Sequence, residues 1–167
     1  MLFPDRCFSS VASIPIEEFK KNNIKGIAID VDNTLIDYQR HMSDSSKKWV
    51  EEVKQAGYQI CILSNSNKVD KIEKVAETLK IEYIMSARKP LKRGFKQVAR
   101  RMQLPYENIA VIGDQVFTDV LGANRMNMFS IYVEPISKKE YWYTKWKRPI
   151  ERWVIKRYLK KVEGKAN

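Results

Sequence analysis

Residues 25–37 read "KGIAIDVDNTLID". Ile27, Ala28, Ile29 and Val31 are apolar with no alternation, the pattern of a strand buried on both faces of a parallel sheet. Three carboxylates, Asp30, Asp32 and Asp37, then fall within eight residues, the first where such a strand is still dry. A buried carboxylate either takes up a proton or meets a cation. The end of this strand is therefore the first place to look for chemistry.

Outward from it, strand and helix patterns alternate. Ser13 caps a short helix over residues 16–20, and Ser43 or Asp44 begins a helix over 43–56 that Gly57 stops. "YQICIL" (58–63) is a strand, and Asn67 caps a helix in which Val69, Ile72, Val75, Ala76 and Leu79 recur at helical spacing. "IEYIMS" (81–86), "NIAVIG" (108–113) and "MFSIYV" (128–133) complete five strands, separated by helices over 91–104 and 119–126. This order predicts an α/β fold: a doubly wound, Rossmann-like, five-stranded parallel sheet with right-handed crossovers.

Ligands in such sheets sit beyond the carboxyl ends of the strands, where the strand order reverses. The first strand end supplies Asp30, Asp32 and Thr34, and the second Ser64 and Asn65. The third leads to Arg88 and Lys89, and the fourth to Asp114 and Asp119. If Asp30, Asp32 and Asp114 converge to about 4 Å, each pair repels by about 4 kcal/mol at an effective dielectric near 20, which a marginally stable domain does not tolerate. A divalent cation resolves the conflict. All-oxygen ligation suits Mg²⁺, and His41, the only histidine, has no cysteine near it to form a zinc set. With a phosphate monoester added, the simplest further relief is a proton on Asp32, available to a leaving oxygen.

Two other acid-rich sites fit less well. A Ca²⁺ loop counted from Asp30 requires Gly at its sixth position and Glu at its twelfth, where Leu35 and His41 stand. A receiver domain gathers acids, a hydroxyl and a lysine around Mg²⁺, but does not place D-x-D on one strand and Ser at the end of the next.

These residues resemble the haloacid dehalogenase (HAD) superfamily of phosphatases. Asp30, Asp32 and Thr34 match its first motif, D-x-D-x-T. Ser64 matches the second, Lys89 in "RKP" the third, and "GDQVFTD" (113–119) the fourth. The resemblance implies two-step phosphoryl transfer, in which Asp30 attacks phosphorus and Asp32 protonates the leaving oxygen, then activates water. It implies that Asp30, the main-chain carbonyl of Asp32 and Asp114 hold Mg²⁺, and that Ser64, Asn65 and Lys89 hold the transferring group. Thr34 orients Asp32, and Asp119 fixes Lys89 or a metal-bound water.

Bulk properties narrow the setting. A chain of 167 residues is one domain's worth, and two cysteines, Cys7 and Cys61, fit a reduced cytosolic compartment. The opening residues lack the basic-then-apolar order of a signal peptide, and no run of about eighteen apolar residues is present to span a membrane. The net charge of +11 calls for an acidic partner. Residues 138–165 hold eleven Lys and Arg against three Glu, a net +8, with three of the four tryptophans: Trp142, Trp146 and Trp153. The chain thus divides into a core, 1–136, and a basic aromatic extension, 137–167. Within the extension, Pro149 begins and Gly164 ends an amphipathic helix whose apolar face holds Ile150, Trp153, Val154, Tyr158 and Val162.

The 32 positions from Asp32 to Ser64 and the 25 from Ser64 to Lys89 are filled by the elements above, leaving no room for a cap domain. The site is therefore open to a bulky substrate or one presented on a surface. "FPDRCFSSVASI", "IDVDNTL", "ARKP", "GDQVFTDVLGANR" and the basic end are together similar to the capless subclass IIIA phosphatases, which include mitochondrial phosphatidylglycerophosphate phosphatases and their bacterial relatives. The resemblance implies a phospholipid monoester as substrate and a cytoplasmic enzyme peripheral to the inner face of an anionic membrane. A phosphatase for nucleic-acid ends or phosphoproteins, or an RNA-associated binding protein, would use the same cations and aromatic side chains differently.

Overall fold

The computed structural model describes residues 1–137 and 147–163. Six parallel strands form one sheet in the order β1-β6-β5-β2-β3-β4. They are β1 (Arg6–Phe8), β2 (Gly26–Ile29), β3 (Gln59–Leu63), β4 (Glu82–Ile84), β5 (Ile109–Gly113) and β6 (Phe129–Val133). The helices are α1 (Ile16–Lys21), α2 (Asp44–Gln55), α3 (Val69–Leu79), α4 (Lys92–Met102), α5 (Leu121–Asn124) and α6 (Arg148–Glu163). The doubly wound α/β architecture is the expected one, and α2 and α3 fill the connections where a cap would stand.

The sixth strand is the addition. β1 is three residues long, too short for any periodicity, and joins the sheet edge by pairing Arg6 with Ile131 and Phe8 with Val133. Other local differences are small. Ser43 caps α2 as expected, accepting from the Ser46 N–H at 3.1 Å, and Gly57 takes φ +91° where the chain leaves that helix. Ser13 caps nothing in α1; it closes a short 3₁₀ turn with Ser10, and Pro15 precedes α1. α3 begins one residue after the position that Asn67 would cap, because the Ser66 hydroxyl accepts from the Lys68 N–H at 3.2 Å. The helix expected over 119–126 is a wide turn, Val116–Val120, followed by the short α5.

The sheet is buried on both faces, as the unalternating β2 predicts. Ile27 and Ile29 point to one side with Phe19, Trp49, Val53, Ile72 and Leu79; Ala28 points to the other with Phe95, Val98 and Met102. Cys61 is a buried core thiol, pushed up to about 12 first by that burial.

α6 docks by an unexpected arc. Val154 and Ile155 pack with Val116, Val120, Tyr132 and Phe3, while Arg148 and Glu151 are also buried. Ile150 and Val162, expected on the same face as Val154, are exposed, and Trp153 is 59% exposed. The ion pairs that Arg148 and Glu151 make decide which side turns inward. Trp142 and Trp146 lie outside the described residues.

Candidate active site

β2 and β5 are neighbours at the point where the strand order reverses, and an aspartate follows each. The Asp30 N–H donates to the Ile112 carbonyl at 2.9 Å, so this side chain leaves from the last rung of the ladder. Asp114 follows Gly113 on β5. The turn Val116–Val120 then brings Asp119 back against the strand end, where its carboxylate accepts from the Gln115 N–H at 3.2 Å. Gly113 permits that approach, since a Cβ there would collide with the Asp119 carboxylate. Asp30, Asp114 and Asp119 are all buried, and one carboxylate oxygen from each lies within 4.8 Å of the others.

Lys89 enters this cluster from the loop after β4. Its Nζ donates to Asp30 Oδ1 at 2.7 Å and to Asp119 Oδ1 at 2.6 Å. Asn65, expected on phosphate, spends its side chain on the Lys89 backbone: its Oδ1 accepts from the Lys89 N–H at 2.6 Å, and its amide donates to the Lys89 carbonyl at 3.0 Å. Ser64 is buried at the end of β3, its hydroxyl oxygen accepting from the Ser66 N–H at 3.1 Å.

Asp32 stands apart from the other acids. Its carboxylate faces a cavity of about 620 Å³ and accepts two hydrogen bonds from Lys71 of α3, at 2.6 and 2.7 Å. The structure therefore corrects two expectations. Thr34 does not orient Asp32; its hydroxyl donates to Asp114 Oδ1 at 3.2 Å. The carboxylate of Asp32 does not join the acidic cluster, because Lys71 claims both its oxygens; Asp119 takes that third place. Lys71 lies in an otherwise ordinary amphipathic helix, and no local signal marks it as a buried partner.

Arg148 is the other residue that sequence reasoning missed. From the start of α6 it donates to the Asp114 carboxylate and main-chain carbonyl, and to Glu151 Oε2 at 3.1 Å. Glu151 Oε1 in turn accepts from the Phe117 N–H at 3.2 Å. A basic residue in a segment crowded with cations carries no mark of this role.

Burial raises the Asp30 carboxyl to about 6, with Asp119 adding to the effect and Lys89 opposing it. Burial likewise raises Asp114 to about 8, despite the Arg148 guanidinium, because Asp30 and Asp119 are close. Burial pulls the Lys89 ammonium down, but the Asp119 and Asp30 carboxylates outweigh it and the net shift is upward. Three crowded, desolvated, hard oxygen donors fit a small divalent cation such as Mg²⁺. Without a metal, the folded state holds the protons of Asp30 and Asp114 above pH 3.8, where free aspartates lose theirs, so its stability falls as pH rises from about 4 to about 8. A cation that binds the ionised cluster opposes that loss. The rise in melting temperature given by Mg²⁺ is accordingly larger at about pH 8 than at about pH 5.5, as scanning fluorimetry would register; a shift independent of pH contradicts this account.

Comparison with known proteins gives the family. The model of the haloacid dehalogenase-like hydrolase family matches residues 39–127, which include Ser64, Lys89, Asp114 and Asp119. "Probable phosphatase YqeG" of Bacillus subtilis (strain 168) is 37% identical over 153 residues, covering 91% of this chain and 88% of that protein. Phosphatidylglycerophosphate phosphatase 1, chloroplastic/mitochondrial, of Arabidopsis thaliana is 27% identical over 155 residues, covering 87% of this chain but 44% of that protein. An uncharacterized protein from Listeria monocytogenes serotype 4b shares the fold at TM-score 0.58 and 20% identity, over 71% of this chain and 85% of that one. A HAD phosphatase from Thermococcus onnurineus does so at TM-score 0.52 and 18% identity, over 60% and 50% of the two chains. On the family match and the B. subtilis relative, this chain belongs to the haloacid dehalogenase-like hydrolases and is a phosphatase of that family.

Proposed function

We propose that the chain is a Mg²⁺-dependent phosphate monoester hydrolase that works through an aspartyl phosphate on Asp30, with a phospholipid monoester of the phosphatidylglycerophosphate kind as substrate. The observation that carries this reading is the meeting of Asp30, Asp114, Asp119 and Lys89 beside a cavity that Asp32 faces. An Asp30 carboxylate oxygen attacks phosphorus as the bond to the leaving alcohol breaks, and Asp32 gives that alcohol oxygen its proton. Asp32 then takes a proton from water, which attacks the aspartyl phosphate, releases inorganic phosphate and restores Asp30. Lys71 steadies the Asp32 carboxylate left after the first proton transfer. Asp119 fixes Lys89, whose ammonium balances charge between Asp30 and the phosphoryl oxygens, and the Ser64 loop holds the transferring group. Asp30, Asp114 and the main-chain carbonyl of Asp32 would hold Mg²⁺, which would supply positive charge against the phosphoryl oxygens.

Substrate and location rest on α6. No helix among the described residues is long and apolar enough to cross a membrane. α6 instead lines the cavity with Arg148 at its start and turns Ile150, Trp153, Leu159 and Val162 to solvent among Arg152, Lys156, Arg157, Lys160 and Lys161. Arg157 stacks over the Trp153 ring at 5.2 Å. A basic helix with an exposed indole beside the reaction centre suits an enzyme whose substrate lies in an anionic bilayer. In this reading residues 1–136 carry the chemistry, and the stretch from 137 onward brings it to the membrane.

Two assays test the proposal. The purified protein with Mg²⁺ releases phosphate from dispersed phosphatidylglycerophosphate faster than from oligonucleotide 5′-phosphates; the opposite order assigns it to nucleic-acid ends. In sedimentation it binds phosphatidylglycerol vesicles and not phosphatidylcholine vesicles, and W153A/R157Q weakens that binding by roughly tenfold. Equal binding of both vesicles, or of neither, removes the membrane from the account.

A further inference from the structure

The net charge of +11 is not shared evenly between the two sides of the sheet. α1, α2 and α3, which pack with Ile27 and Ile29, together carry seven Lys and Arg against eight Asp and Glu. The cations of α2 are held by its own acids: Lys47 by Asp44 at 3.7 Å, Lys48 by Glu52 at 3.7 Å and Lys54 by Glu51 at 2.9 Å. α4 packs with Ala28 on the opposite side and carries five Lys and Arg with no acid. Among the described residues, Arg101 alone of these five has an acidic partner, Glu82 at 3.4 Å.

The outer face of α4 is ordered. Phe95, Val98, Ala99 and Met102 are buried, which leaves two rows in solvent: Lys92, Lys96 and Arg100 in one, Arg93, Gln97 and Arg101 in the other. Each step of four residues is about 6 Å along the axis. This arrangement works against the helix itself. Lys92 and Arg93 stand in the first turn, where the helix dipole favours acids, and like charges four residues apart repel. An external anion relieves both conflicts. A hollow of about 320 Å³ adjoins the rows at the start of α4, and Ser86, Arg88, Arg93 and Gln97 are among its walls.

Composition selects the anion. A bilayer takes up exposed apolar and aromatic side chains together with cations, as α6 offers, and the two rows of α4 hold neither. A single nucleic-acid strand uses aromatic platforms for its bases, and no aromatic side chain lies in these rows. Base readout in B-DNA calls for a helix that enters the major groove, whereas α4 lies with its inner side sealed against the sheet. Double-stranded RNA is recognised by shape, through phosphates and through the 2′-hydroxyls of a wide, shallow groove. A face of Lys and Arg around one amide that both donates and accepts, Gln97, meets those groups. We infer that the outer face of α4, with Arg88, is a docking surface for double-stranded RNA, held by its backbone without regard to sequence. This function lies beyond the proposed phosphatase chemistry and does not depend on Asp30.

Fluorescence anisotropy of the whole chain with a labelled RNA duplex of about 16 base pairs tests it. The duplex binds with Kd of about 1–100 μM in about 0.1 M salt, and about fivefold or more tightly than a DNA duplex of the same sequence. The logarithm of the affinity falls against that of the salt concentration with a slope of about −3 to −4, as about four phosphate contacts require. K92Q/R93Q/K96Q/R100Q binds about tenfold or more weakly, with a slope flatter by about 3. K20Q/K21Q/K48Q/K74Q makes the same change in net charge on the other side of the sheet and binds within about twofold of the wild type, as does D30N. Gln at these exposed positions keeps the helices, which circular dichroism checks. Equal or tighter binding of the DNA duplex, equal loss in the two quadruple variants, or no binding of the RNA duplex overturns the inference. If the wild type ignores the RNA duplex and K92Q/R93Q/K96Q/R100Q no longer sediments with phosphatidylglycerol vesicles, α4 belongs to a bilayer and the inference falls while the phosphatase reading stands.

Discussion

Asp30→Asn lowers Mg²⁺-dependent phosphate release by roughly a thousandfold or more, because the amide keeps the shape of the side chain and is not a nucleophile. The variant folds. The substitution removes one negative charge from a buried, crowded set, and Lys89 keeps its 2.6 Å bond to Asp119, so the metal-free melting temperature holds or rises. Loss of activity in a protein of unchanged stability is the signature of a missing reactant rather than a damaged fold. Initial rates of phosphate release, measured beside a thermal melt, decide it. A variant that keeps about a tenth of wild-type turnover takes Asp30 out of the nucleophile's role.

The second large effect lies 118 residues away in the sequence, at Arg148. Arg148→Met leaves the Asp114 carboxylate and carbonyl without their guanidinium donor, and Glu151 without its ion pair, all in a buried setting. Removing one partner of such a network costs about 3–5 kcal/mol. At about 2–4 °C per kcal/mol for a chain of this size, the metal-free protein melts roughly 10 °C lower. Mg²⁺ restores part of the loss, since a cation on Asp114 supplies the charge that Arg148 withdrew. A shift below about 2 °C means that α6 does not hold the site together. Glu151→Gln, added to Arg148→Met, recovers stability by removing one of the stranded carboxylates, and so separates a broken ion pair from a helix that has simply come away.

The same two positions show what can be read from a sequence of this kind. Asp30, Asp114, Asp119 and Lys89 were legible because a parallel sheet brings the carboxyl ends of its strands to one edge, and the strands themselves are marked by unbroken apolar runs. Their convergence followed from topology alone. β1 was not legible, since Arg6–Phe8 is too short for any period to show and is held by pairing with β6. The family resemblance implies that Thr34 orients Asp32, but the turn after β2 carries its hydroxyl to Asp114, 80 residues on. Lys71 and Arg148 are ion-pair partners across tertiary contacts, and charged residues on basic amphipathic helices look alike until the fold selects one of them. For α6 that selection shifted the expected face while keeping Val154 buried. Ile150 and Trp153 lost the inward position because Arg148 and Glu151 had buried partners waiting in Asp114 and the Phe117 N–H.

The central claim is that Asp30 and Asp114 hold one divalent cation next to Lys89. Crystals grown with Mn²⁺ in place of Mg²⁺ test it directly through the metal's anomalous scattering. The account predicts a single strong peak about 2.2 Å from a carboxylate oxygen of Asp30 and one of Asp114, with Arg148 shifted or sharing Asp114. A map with no peak between those two aspartates, or with its peak on other residues, contradicts it.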